Sequence, residues 1–353
     1  MEDKAPQGAH GQSQRHVPVL LEEAMEFLRI LPGGTYMDAT LGLGGHSTAI
    51  ARRLGPEGHL IAFDRDPEAI ESAAIRFMTL RAELKEQMPR ITIHAAAFAE
   101  AASWAEPQSI DGILADFGVS SLQLDTAQRG FSFQADAPLD MRMDPRSGMT
   151  AEQVVNQVSE EDLANLIYKF GEERRSRRIA RAIVRARPVT TTAQLARVVT
   201  SSAPAIKSDR IHPATRVFQA LRIYVNEELD QIASLLQIAP QLLRPAGRMV
   251  AISFHSLEDR IVKDAFREGK ASGTWTVLTP KPVTASEAEI RSNPRSRSAK
   301  LRAAERATHP AKSRRPVKEQ EKILRRSWSS GYAEQVRAGF VPTPLSGERT
   351  ACK

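Results

Sequence analysis

The sequence has a single cysteine and no long run of apolar residues. The cysteine, Cys352, lies next to the C-terminus, which excludes a disulfide within the chain and argues against a cysteine-based metal site. No apolar stretch is long enough to cross a bilayer, and residues 1–16 are polar, unlike a secretory signal. Histidine and acidic residues do not show the spacing of metal ligands. We therefore expect a cytoplasmic protein with no metal and no membrane partner.

Positive charge is what the chain has in excess. Its 49 Lys and Arg residues outnumber 42 Asp and Glu residues, for a net charge of +7. That excess favours a polyanionic partner, although a need for solubility would account for it as well. The length of 353 residues suits one large domain with an addition, or two domains.

A strand, a glycine-rich loop and a helix follow one another in residues 35–54. The loop carries Gly42, Gly44 and Gly45, and helical periodicity begins at His46. Glycines allow the backbone to approach a ligand closely, and the start of a helix offers free N–H groups. This order predicts a site for a nucleotide-like ligand, with a tight turn that binds nothing as the alternative.

Buried strand patterns alternate with helical periodicity in the first third of the chain. The strand patterns cover residues 36–39, 59–64, 91–95 and 110–117. Asp66 and Pro67 suit the start of a helix that runs to about residue 80, after a shorter helix at 19–28. The alternation predicts a parallel, doubly wound α/β sheet. Later strands are predicted at 247–254, 277–283 and 300–308.

The strand pattern is interrupted after residue 128. Helical periodicity without a convincing strand follows, at 151–157, 160–170, 172–186 and 192–201. We interpret this part as an all-helical domain inserted into the α/β fold, followed by helices at 214–237 and 257–267. Residues 1–15 and those beyond about 310 have the composition of disordered tails.

An acidic residue, Asp64, ends the second strand pattern. It lies 22 residues after Gly42, where its carboxylate would face the glycine loop and accept hydrogen bonds from ribose hydroxyls. Nicotinamide dinucleotides and S-adenosylmethionine are both held in this way, so these residues leave the two open. The spacing Gly-x-Gly-Gly departs from the Gly-x-Gly-x-x-Gly that is typical of dinucleotide sites.

A second acidic residue, Asp116, ends the fourth strand pattern and precedes Phe117 and Gly118. This arrangement is similar to the acidic motif of methyltransferases that act on exocyclic amines. The lone pair of a cytosine or adenine amine is drawn into the ring, and a carboxylate that accepts its N–H bonds restores electron density and orients it. We predict that Asp116 is catalytic, with capping of the next turn as the alternative.

Eight motifs, in this order, resemble one family. They read HVPVLL (16–21), GGHS (44–47), DRDP (64–67), DFGVSS (116–121), RGFSF (129–133), PLDMRM (138–143), HPATR (212–216) and ISFHSLEDR (252–260). Over about residues 16–306 the chain resembles the MraW family, bacterial enzymes that methylate the N4 amine of a cytosine in the 16S rRNA of the small ribosomal subunit. The resemblance implies S-adenosylmethionine as cofactor and a target in the decoding region. It carries over as cofactor contacts Gly44, Gly45, His46, Asp64, Phe98, Asp116 and Gln123.

The chain is then expected to divide into five parts. A Rossmann-like methyltransferase sheet occupies residues 16–128 and 214–309, and a helical insert that binds RNA occupies residues 129–213. A disordered tail at 1–15 and a flexible basic tail at 310–353 flank them.

Six exposed arginines are predicted to contact RNA phosphates. Four lie on one stripe of the predicted helix at 172–186, and two in a basic stretch at 291–302 that resembles the family's C-terminal arginine segment. These are Arg174, Arg178, Arg181, Arg185, Arg295 and Arg297. For the stripe, a solvated charged face is the alternative.

The stretch 129–133 follows the catalytic strand, where an extruded base would enter. Arg129 is a further candidate RNA contact, and Phe131 or Phe133 would either stack on the base or anchor the insert. His255, at the end of a later strand, is predicted to shape the site. Two other functions stay open: an RNA-binding assembly factor with an idle site, and a nicotinamide-dependent oxidoreductase.

Overall fold

The computed structural model describes residues 18–204 and 212–308. The tails predicted at 1–15 and 310–353 lie outside the described residues. Seven strands form one sheet: β1 (Thr35–Asp38), β2 (His59–Asp64), β3 (Arg90–Ala95), β4 (Ile110–Asp116), β5 (Leu243–Ser253), β6 (Trp275–Val277) and β7 (Lys300–Arg306).

The strands lie in the order β3-β2-β1-β4-β5-β7-β6. From β3 to β5 all neighbours are parallel, and β7 is antiparallel to both β5 and β6. The predicted α/β sheet with crossover helices is therefore confirmed. The reversal of strand order at β1 and β4 opens a crevice above their carboxyl ends, which is where ligands of such sheets bind.

Helices connect and cover the strands. The helices of the sheet domain are α1 (Leu21–Leu28), α2 (Gly45–Leu54), α3 (Pro67–Leu84), α4 (Ser121–Asp125), α10 (Glu228–Leu242), α11 (Ser256–Ser272) and α12 (Glu287–Ser292). Five further helices lie between α4 and α10: α5 (Ala151–Gln157), α6 (Glu160–Gly171), α7 (Ser176–Arg185), α8 (Thr192–Ser202) and α9 (Pro213–Asn226). The Asp66 side chain accepts the Glu68 N–H, and Pro67 opens α3, as its sequence predicts.

Two predicted helices are interrupted where a residue has a left-handed backbone, and one predicted strand is shorter than expected. The predicted helix at 172–186 begins only at Ser176, because Glu172 is left-handed at φ 49° and ends α6. The predicted helix at 214–237 is two helices, because Glu227 breaks it with a left-handed φ of 54°. Such backbone conformations are uncommon outside glycine, so periodicity alone does not reveal them. The strand predicted at 277–283 is wrong beyond Val277, since only an isolated bridge from Val283 to Leu301 remains.

Three apolar cores account for the packing. One joins α1, α2 and α3 to one face of the sheet, and a second joins α10 and α11 to the other face. The third lies among α5 to α9 and includes Ile179, Ile183, Phe218 and Leu221. Helix α9 thus shares the core of the helices before it, and the division of the chain at residue 213 stays a prediction. In the part of the chain that the structure describes, no helix is both long and apolar enough to span a membrane.

Candidate active site

Three aspartates stand at the carboxyl ends of neighbouring strands. Asp38 ends β1, Asp64 ends β2 and Asp116 ends β4. Because these strands are parallel and adjacent, their last residues lie at one edge of the sheet. The structure thus brings the two carboxylates singled out in the sequence to the same crevice, and adds Asp38 to them.

Asp64 shapes the glycine loop as the sequence suggested. One carboxylate oxygen accepts the Gly42 N–H at 2.8 Å, and the other accepts the Asp66 N–H at 2.9 Å. Burial raises the pKa of Asp64 to about 6 against the pull of these backbone donors. Each oxygen keeps a second lone pair, so the carboxylate can still accept hydrogen bonds from a ribose.

The glycines of the loop serve different purposes. A Cβ atom on Gly44 would lie 3.3 Å from the Cβ of Ala73 on α3, and one on Gly45 would collide with the ring of Pro18. These two glycines are needed for packing within the protein. At Gly42, with φ 49°, the nearest atoms to a Cβ would be 4.0 Å away. Gly42 is therefore the glycine of the loop that leaves open space for a ligand. In the sequence, only its place in the glycine-rich loop indicated this role.

Asp116 has few partners for a carboxylate at a strand end. Its backbone N–H donates to Thr40 Oγ1 at 2.6 Å. Oδ1 is buried and has no hydrogen-bond partner among the described residues, while Oδ2 lies 3.6 Å from His46 Nδ1. Burial, followed by the neighbouring carboxylates of Asp38 and Glu258, raises the pKa of Asp116 well above its usual value. An acceptor without a donor in a crevice is suited to a ligand that brings N–H groups.

His46 is buried under the loop at the start of α2. Its Nε2 lies 3.0 Å from the Val19 carbonyl oxygen, which can only accept, so Nε2 carries the proton. Burial lowers the pKa of His46 to about 4, and the ring is neutral at pH 7. Nδ1 then presents a lone pair towards Asp116.

Phe98 and Gln123 occupy different surroundings. Phe98 is half-buried just after β3, with its ring centroid 6.0 Å from that of Phe117. Gln123 is buried, and its amide is used within the protein: Oε1 accepts the Ser120 N–H at 3.0 Å, and Nε2 donates to Asp66 at 2.7 Å. Contact of either residue with the cofactor stays a prediction.

The prediction that Arg129 contacts RNA is wrong, because its side chain is buried. Its side chain is 9% exposed, and Nη2 donates to Asp66 Oδ2 at 2.9 Å. The guanidinium also donates to Glu68 and to the backbone carbonyls of Arg142 and Met143. A buried guanidinium with these partners cannot reach RNA phosphates, so Arg129 ties the start of α3 to the chain segment that leads into the insert.

Packing supports one of the two roles predicted for the phenylalanines, which is to anchor the insert. Phe131 is 7% exposed and belongs to the core of the insert. The Phe133 ring packs edge-on against Phe218, with 5.0 Å between centroids. Both rings anchor the insert.

The predicted phosphate contacts stand on the surface. Arg178, Arg181 and Arg185 are exposed on α7, opposite its buried Ile179 and Ile183. Arg174 is exposed just before the helix, because α7 begins later than predicted. Arg181 pairs with Glu160 at 3.3 Å. Arg295 pairs with Asp125, and Arg297 is exposed beside it.

Next to Asp116, His255 belongs to a polar cluster that the sequence did not reveal. Ligand-type atoms of Glu228, His255 and Glu258 lie within 4.8 Å of one another. Arg222 donates to both Glu228 oxygens at 2.7 and 2.8 Å, and His255 Nδ1 accepts the Glu258 N–H at 3.4 Å. That acceptor role puts a proton on Nε2, which faces Glu258 Oε1 at 3.2 Å. These contacts describe an ion-paired network rather than a vacant set of metal ligands.

The sheet order and the aspartates at its carboxyl edge define a Rossmann-like protein with a site for an adenosine-containing cofactor. The chain belongs to the MraW methylase family, whose profile matches residues 13–307. It is therefore a methyltransferase, its methyl donor is S-adenosylmethionine, and the oxidoreductase alternative is excluded.

Two relatives show how far the similarity extends. The ribosomal RNA small subunit methyltransferase H of Acidobacterium capsulatum is 70% identical over 292 residues, which cover 83% of this chain and 98% of that protein. The protein of the same name from Koribacter versatilis is 59% identical over 308 residues, covering 86% and 98%.

Proposed function

We propose that this enzyme methylates the exocyclic N4 amine of a cytidine in the decoding region of 16S rRNA. The observation that carries the proposal is the buried Oδ1 of Asp116 at the carboxyl edge of the sheet, which has no hydrogen-bond partner within residues 18–204 and 212–308. The names of the relatives support an RNA of the small ribosomal subunit as the substrate.

The residues of the crevice fit an S-adenosylmethionine molecule. Asp64 keeps lone pairs for the ribose, Gly42 leaves open space beside it, and Phe98 offers an aromatic ring after β3. The cofactor supplies a methyl group on a positively charged sulfur. The glycine loop and Asp64 would hold it, and the half-buried walls of the crevice would limit access of water.

Asp116 would bind and orient the amine. Its free acceptor would take an N–H of the amino group, which restores electron density to a nitrogen whose lone pair is delocalised into the ring. Thr40 fixes the backbone of Asp116 by accepting its N–H at 2.6 Å. Direct transfer from sulfur to nitrogen requires no covalent intermediate with the protein.

The helical insert would supply the RNA surface. The exposed arginines on and before α7 are suited to phosphate oxygens, and Arg297 and Arg295 offer a second group of cations on the sheet domain. The target base has to leave its stack to reach Asp116 in the crevice. The packing of Phe131 and Phe133 supports the insert.

The test uses small ribosomal subunits from cells that lack the enzyme. Incubation with purified protein and methyl-labelled S-adenosylmethionine, followed by nuclease digestion and mass spectrometry, is expected to yield labelled N4-methylcytidine at one position. Asp116→Asn should reduce the rate at least a hundredfold, while Asp230→Asn, an exposed carboxylate on α10, should not. RNA binding without any label would instead support an assembly factor with an idle site, and label in another nucleoside would overturn the cytidine assignment.

A further inference from the structure

The side-chain atom beside the carboxyl group of Asp116 is an acceptor and not a donor. Oδ1 has no hydrogen-bond partner among the described residues, and the one ring atom near Oδ2 is His46 Nδ1 at 3.6 Å. Because His46 donates its Nε2 proton to the Val19 carbonyl at 3.0 Å, Nδ1 carries a lone pair. A carboxylate at this place would therefore face another acceptor and receive no hydrogen bond from it.

The two ionisable groups that raise the pKa of Asp116 besides burial are both carboxyl groups. Asp38, at the end of β1, uses its two oxygens to accept from the Thr40 N–H and the Ser47 hydroxyl. Glu258, in the first turn of α11, accepts the Phe254 N–H at 2.7 Å. Burial would raise the pKa of Glu258, but His255 and Arg222 together hold that pKa below its usual value. A Cβ atom on Gly118, two residues after Asp116, would lie 3.8 Å from Glu258 Oε1 and 4.0 Å from Nη2 of Arg222.

One buried cation of this region, Arg222, already has a carboxylate partner. Arg222 donates to both oxygens of Glu228, so it compensates that carboxylate first. These surroundings favour the neutral form of Asp116, in agreement with the raised direction of its pKa, which burial causes first and the two carboxylates second. A protonated Asp116 would also turn its O–H towards the lone pair of His46 Nδ1.

We infer that Asp116 is a carboxylic acid in the free enzyme and loses its proton when the cationic methyl donor binds, so that it selects the charged donor over the neutral demethylated product. The inference rests on the proposed function for the position of Asp116 beside the reacting amine. The O–H bond of the carboxylic acid breaks and its proton passes to solvent water, the carboxylate would face the positively charged sulfur, and no bond to carbon or sulfur changes in this step. After methyl transfer the sulfur is neutral, so it no longer stabilises the ionised form of Asp116.

This arrangement has a thermodynamic consequence. A group that releases a proton on binding makes the affinity rise with pH, by at most about tenfold per pH unit for one proton. S-adenosylmethionine and S-adenosylhomocysteine share the same ribose, carboxylate and α-amino group, so those parts contribute equally to any proton exchange. The difference in proton release between the two ligands therefore reports the effect of the positively charged sulfur alone.

Isothermal titration calorimetry of the full chain with each ligand tests the inference. Titrations at one pH in buffers of different ionisation enthalpy give the number of protons released. We expect S-adenosylmethionine to release up to one proton more than S-adenosylhomocysteine and to bind more tightly as pH rises across a pH series. Equal proton release for the two ligands would overturn the inference.

Two further measurements test the assignment to Asp116, one with variants and one with the unmodified protein in case a variant does not fold. Asp116→Asn should abolish the difference in proton release, whereas Asp230→Asn on the surface of α10 should keep it. In the unmodified protein, difference infrared spectroscopy should show loss of a protonated carboxylic acid band with S-adenosylmethionine and not with S-adenosylhomocysteine. An unchanged band, or a difference in proton release that persists in Asp116→Asn, would contradict the assignment.

The outcome is separable from the proposed function. The same preparation can be assayed for N4-methylcytidine on small ribosomal subunits. Methylation without the extra proton release would refute the inference and leave the function standing. Proton release without methylation of cytidine would refute the function and leave the electrostatic role of Asp116 standing.

Discussion

The guanidinium of Arg129 is buried against the carboxylate of Asp66, with 2.9 Å between Nη2 and Oδ2. Asp66 in turn donates its backbone N–H to Asp64, the carboxylate that shapes the glycine loop. Arg129 also donates to the carbonyls of Arg142 and Met143. The entrance to the insert and the proposed ribose site are thus joined by one buried ion pair.

Removal of Arg129 is expected to destabilise the protein strongly. Arg129→Ala leaves the fully buried Asp66 carboxylate without its cation, which costs about 3–5 kcal/mol for a broken buried pair. Urea unfolding followed by circular dichroism measures the loss. Arg146→Ala, which breaks an exposed pair with Asp144, is the matched control and should leave the free energy of unfolding almost unchanged. Similar values for the two variants would show that the Arg129 pair is not buried as described.

Gly45 is expected to be required for packing against Pro18. Gly45→Ala should lower the free energy of unfolding by about 1–3 kcal/mol, because the added methyl group meets the proline ring. Pro18→Ala removes that ring and should reduce the penalty of Gly45→Ala in the double variant, as measured by a double-mutant cycle in urea. Additive effects of the two substitutions would indicate that the glycine serves ligand approach instead.

The pH dependence of stability should report the ionisation of Asp64. Its pKa is raised from 3.8 to about 6, so the folded state binds more protons than the unfolded state between these values. The free energy of unfolding contributed by this group therefore falls as pH rises from about 4 to about 6. Urea unfolding across that range should show a shallower fall in Asp64→Asn than in the unmodified protein. Asp230→Asn should keep the original slope, and an equal slope in all three would contradict the raised pKa.

The arginine surface on α7 predicts a particular salt dependence. If Arg178 and Arg185 each contact a phosphate, replacement of either by Gln should reduce the slope of log affinity against log salt by about 0.7–0.9. Fluorescence anisotropy with a labelled 16S rRNA fragment at several salt concentrations measures the slope. Arg52→Gln, an exposed arginine on α2 that pairs with Glu83, is the control. A slope that changes only in the control would place the RNA elsewhere.

Local sequence patterns predicted most of the sheet because each strand has its signal within a few residues. The apolar runs before Asp64 and Asp116 are buried strands, and each acidic residue ends its strand where polar side chains can leave the core. The helix break at Glu227 was not predicted, because a left-handed backbone at a glutamate has no signature in hydrophobic periodicity.

The sequence by itself determined the architecture, the family and the two carboxylates at the crevice, since apolar periodicity and short motifs are local properties of the chain. Only the tertiary structure decided which partner each polar group has. Arg129 looked like a phosphate contact until Asp66, 63 positions away, proved to share its burial. Asp116 gained its electrostatic character from His46, Asp38 and Glu258, which come from separate elements. Such contacts depend on how strands and helices pack together, and no local pattern encodes them.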